Sequence, residues 1–199
     1  MAKLDEKIIR EMYEIEGLTD QEISEEFSCD RTTVVHFRKN HGISTRNVKT
    51  DVASELVLEN LLKMGLDAKN AKLNDKTYPV DILIDNQIRI EVKSAVLLES
   101  EGCYKFLFTE KEDNQNIESE NRIKLANGRT RKLLSKTCDF IVFVGFNDAD
   151  PDFWIMPSNI LSDTMQTISL LPYSVMSKYN KYKNAWRLLQ EFGSENVLV

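Results

Sequence analysis

A chain of 199 residues with 42% hydrophobic side chains can bury one full core and a small satellite, so two folding units are expected. Its apolar runs are too short to span a bilayer and its opening residues, MAKLDEKIIREMYE, lack a signal-peptide core, so a soluble, cytoplasmic protein is expected. Three scattered cysteines (Cys29, Cys103, Cys138) argue against a disulfide framework, two close histidines against a zinc site, and a net charge of -6 against nucleic-acid binding through overall attraction.

The distribution of charge says more than its sum. Residues 1–30 carry ten acidic and three basic side chains, whereas residues 31–50 carry five basic ones (Arg31, Arg38, Lys39, Arg46, Lys49) and no acid. Leu4, Ile8, Ile9, Met12 and Ile15 recur at helical spacing before Gly17. Thr19 then caps a short helix, Asp20 to Phe27, with Glu22 completing a capping box. After a turn at Ser28, Cys29 and Asp30, a third helix is predicted from Arg31 to Asn40, capped by Asp30 and ended by Gly42. Packing Ile23 and Phe27 against Val34, Val35 or Phe37 leaves Arg31, Thr32, Thr33, His36 and Lys39 free to enter a major groove. The spacing resembles helix-turn-helix domains of regulators, recombinases and homing endonucleases. Residues 43–50, ISTRNVKT, read as a polar linker whose Arg46 can touch phosphate.

Residues 51–65, DVASELVLENLLKMG, form an apolar helix ending at Gly65, with Glu55 and Glu59 one turn apart. Next, Tyr78 to Ala95 reads YPVDILIDNQIRIEVKSA. Val80, Ile82, Ile84, Ile88, Ile90 and Val92 alternate strictly with other residues, which predicts two half-buried strands sharing one apolar face around a turn at Asp85, Asn86 and Gln87. A three-residue loop puts Asp81 directly opposite Glu91, with Lys93 on the same face as Glu91. Two carboxylates so placed repel unless a cation or shared proton compensates, and hard oxygen donors suit magnesium. Lys93 can orient or help deprotonate an attacking water and stabilise charge on a phosphate.

Asp81, nine intervening residues, then Glu91-Val92-Lys93 resembles the catalytic core of the PD-(D/E)xK nuclease superfamily, over roughly residues 51 to 160. The proline, Pro79, is separated from the aspartate by Val80 instead of preceding it directly. The resemblance implies an α/β, restriction-endonuclease-like mixed sheet flanked by helices, here preceded by a small all-α helix-turn-helix domain. It implies Asp81, Glu91 and the Val92 carbonyl as ligands of Mg (or Mn), Lys93 as a catalytic lysine, and an acidic residue on the preceding helix. Glu55 is the choice for that residue, with Glu59 the alternative.

Further along, Tyr104 to Thr109, Phe140 to Phe146 and Phe153 to Met156 read as strands, the second apolar enough for a central position. The basic run at 122–136 (Arg122, Lys124, Arg129, Arg131, Lys132, Lys136) is expected to form a helix across the sheet and to offer Arg129, Arg131 and Lys132 to DNA. Tyr173 to Phe192 is expected to be a helix with Trp186 and Leu189 in the core. The expected organisation is a helix-turn-helix domain over 1–45 and a nuclease domain over 46–199. Double-stranded DNA is the expected partner, bound by a homodimer and cut at specific sites in restriction or homing fashion. A structure-selective resolvase and a non-catalytic regulator remain as alternatives.

Overall fold

The computed structural model describes residues 4–16, 18–43, 48–73, 78–113 and 117–196. The chain divides into two compact units, Met1–Val48 and Lys49–Val199.

The first unit is helical. Asp5 caps α1 (Glu6–Arg10) by accepting from the backbone N–H groups of Lys7 and Ile8. A π turn, Glu11–Ile15, continues it; Ile9 and Tyr13 are buried while Ile8 and Ile15 face solvent. The expected stripe through Ile8 and Ile15 is corrected accordingly. Thr19 and Glu22 close a capping box at α2 (Asp20–Glu26), and Asp30 caps α3 (Arg31–Asn40). Ile9, Tyr13, Ile23, Phe27, Val34 and Ile43 make the core. Arg38 is buried there: its Nε and Nη2 donate to Asp20 at 2.6 and 2.8 Å, Nη1 donates to the Ile43 carbonyl at 3.1 Å, and the guanidinium lies 3.8 Å from the Tyr13 ring centre. Arg38 therefore braces α2 against α3 and does not belong to the surface charge counted from sequence. Ile43, placed in a polar linker, is core, and residues 48–50 belong to the next helix.

The second unit is mixed α/β. Its elements are α4 (Val48–Lys63), β1 (Ala68–Asn70), β2 (Ile82–Ile84), β3 (Ile88–Leu98), β4 (Cys103–Leu107), β5 (Thr109–Lys111), β6 (Arg122–Lys124), β7 (Arg129–Lys132), α5 (Leu134–Thr137), β8 (Phe140–Phe146), β9 (Asp152–Pro157), β10 (Thr167–Leu170) and α6 (Arg187–Asn196). The main sheet has seven strands. β1, β2 and β3 pair antiparallel, β3 runs parallel to β8, β8 pairs antiparallel with β9, and β4 links the end of β3 to β10. β5, β7 and β6 form a second, antiparallel sheet.

Both faces of the main sheet are covered. Phe140, Val142 and Val144 of β8 join Ile82, Ile84, Ile88, Ile90 and Val92 under the Ala53, Val57, Leu61 stripe of α4. Ile141 and Phe143 point the other way, with Leu83, Tyr104, Phe106, Trp154 and Met156. This is why β8 is an unbroken apolar run. Val80 departs from the expected single face and joins the second cluster, since residues 79–81 form a bend outside β2. On β8, Gly145 must be glycine: a Cβ there would lie 2.6 Å from the Tyr104 ring.

Two predicted helices are corrected. The basic run forms β6 and β7, because Asn127-Gly128 turns the chain, with Gly128 at φ +76°. Its helical part is only α5, Leu134–Thr137. The C-terminal helix begins at Arg187. Ahead of it, Lys183 bridges to Trp154, and Asn184, at φ 52°, donates its N–H to the Phe153 carbonyl at 2.9 Å, which ties the segment to β9 and stops helix propagation. Leu189 is fully buried and Trp186 packs beside it, as expected. The three cysteines are free. Among the described residues no helix is long and apolar enough to cross a membrane.

Candidate active site

The β2–β3 hairpin places the carboxylates. Ile84 pairs with Ile88 and Ile82 with Ile90, around a turn whose Asp85 and Asn86 adopt φ of 51° and 59°. That register carries Asp81 to the position facing Glu91. Although Asp81 lies outside the regular strand, its N–H donates to the Ile90 carbonyl at 3.0 Å and its carbonyl accepts from Ala71 at 2.9 Å. Asp81 and Glu91 are 6% and 5% exposed, which makes their partners decisive.

Each of the four carboxylate oxygens has a donor. Asp81 Oδ1 faces Lys72 Nζ at 2.6 Å, and Oδ2 accepts the Val92 N–H at 2.7 Å. Glu91 Oε1 lies 3.0 Å from Lys93 Nζ, and Oε2 lies 2.6 Å from Lys132 Nζ, which also donates to the Pro79 carbonyl. Burial would push the Glu91 carboxyl up, but the charges of Lys93 and Lys132 overcome it and hold Glu91 well below the usual carboxylate range. Burial likewise opposes the Lys93 charge, and Glu91, with smaller help from Asp81 and Glu110, raises its pKa nonetheless. The repulsion expected of the hairpin alone is thus already neutralised, by three ammonium groups. Nearby Cys138 is an inert thiol, pushed up to about 12 chiefly by burial.

Lys72 and Lys132 were not read from sequence as members of this site. Lys72 is delivered by the β1–β2 register, whose Ala68–Ile84 and Asn70–Ile82 pairs bring the chain after β1 alongside Asp81. Lys132 belongs to β7 of the second sheet. An unpaired buried carboxylate pair was the available signal that such cations had to exist.

Other assigned residues divide clearly. Glu55 is exposed on α4, whose buried stripe covers the sheet face opposite Asp81 and Glu91, so the structure does not bring it to the pair. Glu59 pairs with Lys63 at 2.8 Å on the surface. Arg31, Thr32, Thr33, His36 and Lys39 are all exposed on α3, with the Thr32 hydroxyl donating to Asp30. Arg46 lies outside the described residues. Of the second basic run, Arg131 is 0% exposed, donating to the Ser162 carbonyl at 2.6 Å beside Phe108, and is corrected from a DNA contact to an interior residue. Arg129 is half-buried against the Thr109 carbonyl at 3.4 Å, and Lys132 is committed to Glu91.

The donor chemistry fits a hard divalent cation: two buried carboxylates, with Asp81 Oδ1 and both Glu91 oxygens facing lysine ammonium groups, and only Asp81 Oδ2 tied to backbone. Among the described residues no group of three or more His, Cys, Asp or Glu side chains gathers, so water and substrate oxygens would have to complete a shell there.

No protein-family model matches the sequence, and no curated protein matches it. The fold is similar to that of a bacterial homing endonuclease, I-Ssp6803I, at a TM-score of 0.58 and 18% sequence identity, over 76% of this chain and 97% of that one. At that identity the likeness concerns the mixed α/β fold alone. MepB, at a TM-score of 0.36 and 8% identity over 64% of this chain and 86% of that one, is too distant to carry an argument.

Proposed function

We propose that the protein is a divalent-metal-dependent DNA endonuclease of the PD-(D/E)xK type. The supporting observation is the buried Asp81–Glu91 pair facing across one hairpin, with Lys93 beside Glu91, on a fold like that of a homing endonuclease. Asp81 and Glu91, with the Val92 carbonyl, would hold Mg or Mn. The bound cation supplies polarisation of the scissile phosphate and a water of lowered pKa. Lys93, 3.0 Å from Glu91 Oε1, is placed to donate a hydrogen bond to charge building on the phosphate or to orient the attacking water.

The exposed row Arg31, Thr32, Thr33, His36 and Lys39 on α3 supports a helix-turn-helix reading of the first unit, contacting double-stranded DNA at a specific site. A two-fold dimer would supply the two cuts that a duplex break needs.

Supercoiled plasmid DNA carrying a random-sequence library, incubated with magnesium or with chelator, tests the proposal. Cleavage requires magnesium, and Asp81→Asn, Glu91→Gln and Lys93→Ala each lower the single-turnover rate by roughly a thousandfold or more, several kcal/mol of transition-state stabilisation. Direct appearance of linear product supports paired active sites, whereas nicked circles accumulating first remove the dimer from the proposal. Full activity in Asp81→Asn or Glu91→Gln overturns the catalytic assignment.

A further inference from the structure

Lys132 reaches the site from outside the strands that build it. It sits on β7, between the fully buried Arg131 and the buried Leu133, so its backbone is fixed while its four-carbon stem carries the ammonium to Glu91 Oε2 at 2.6 Å. Lys93 approaches the other oxygen of the same carboxylate from its own strand, at 3.0 Å. Lys72 serves Asp81 instead, from a side chain already 40% exposed. Three ammonium groups against two carboxylates leave the metal-free site with an excess of one positive charge. A divalent cation added to that set with every ammonium in place would raise the excess to three around carboxylates that are only 6% and 5% exposed, and like charges this close repel. One ammonium must therefore leave as the metal enters. Glu91 carries two ammonium groups and Asp81 one, so release of Lys132 leaves Glu91 still paired with Lys93 from its own strand, whereas release of Lys72 would leave Asp81 with no cation.

We propose that Lys132 is the resident cation of the metal-free site: it occupies the charge position at Glu91 that a divalent metal takes, and metal binding releases its ammonium to solvent or to a phosphate of bound DNA. The inference rests on the reading of Asp81 and Glu91 as metal ligands. It gives Lys132 a part in the order of events, since the same cation that completes the site frees a positive charge at its rim. Lys132 is a positioning residue in the metal-free protein and competes with the metal for one oxygen.

Titration of the full-length protein with Mn²⁺ alone, followed by calorimetry without DNA, tests it. Lys132→Met binds Mn²⁺ at least tenfold more tightly than the wild type, because the competitor is gone; unchanged or weaker binding overturns the proposal. Acylation of lysines by an N-hydroxysuccinimide ester in the wild-type protein needs no variant to fold. Lys132 is protected without Mn²⁺ and modified in its presence, and protection in both states overturns the proposal. Adding Asp81→Asn and Glu91→Gln to Lys132→Met separates the two readings. Loss of the tight binding places the cation on the carboxylates, whereas tight binding that survives overturns the metal-site reading itself.

Discussion

Glu91 is ionised in a nearly dry setting because two ammonium groups share it. Its folded pKa, about 2, lies below its ordinary value of 4.5, so its contribution to stability is fully present above the ordinary value and is lost as pH falls between those two values. Urea unfolding at a series of pH values should show wild-type stability dropping through that window. Glu91→Gln should give a flatter profile there and a lower stability near neutrality, since Lys93 and Lys132 lose their partner. Parallel profiles would mean that the ammonium groups do not hold the metal-free carboxylate. At this scale Asp81, Glu91 and Lys93 were legible because alternation and turn length fix a hairpin register locally. Lys72 and Lys132 were not, since one arrives through a neighbouring strand and the other through a separate sheet. Lys132 was correctly read as a cation, but its partner is an internal acid rather than a polyanion. Arg131 shows the same limit: a charged residue inside a basic run gives no local sign of being buried.

Helix caps and strand alternation made individual elements readable. Thr19 with Glu22, and Asp30, act at the helix starts they were expected to mark, and Phe140–Phe146 is a central strand for the reason its composition suggested. The basic run misled because its charge was weighed above its turn. Asn127-Gly128 between alternating segments is a hairpin signal, and pairing of Lys124 with Thr130 follows from it. α3 carries the prediction proper to this scale. Arg31 and Lys39 are exposed on it while Arg38 is locked to Asp20, so only the first two can release counterions from DNA. Arg31→Ala and Lys39→Ala should each reduce the slope of log affinity against log salt by about 0.9. Slopes equal to the wild type in both variants would remove α3 from the DNA interface.

Across the whole molecule, a net charge of -6 coexists with Arg31 and Lys39 exposed on one helix and a carboxylate site rich in lysine, a distribution that composition alone does not report. The parallel pairing of β3 with β8 closes a crossover containing β4, an entire second sheet and α5, and no local pattern in the sequence specifies that partner. This crossover also sets a sequence in time. Asp81 and Glu91 meet across one tight turn, a step that hairpins complete in about 1–10 μs, whereas Lys132 lies 41 residues beyond Glu91 and depends on the second sheet. Lys93 arrives with the hairpin itself, whereas the Glu91–Lys132 contact is expected to form on the late side of the barrier. In stopped-flow measurements without metal, Lys132→Met should leave the refolding rate nearly unchanged and place most of its stability loss in faster unfolding. A loss appearing mainly as slower refolding would put the contact in the folding nucleus instead, and the two sheets would then have to assemble together before the carboxylates are buried.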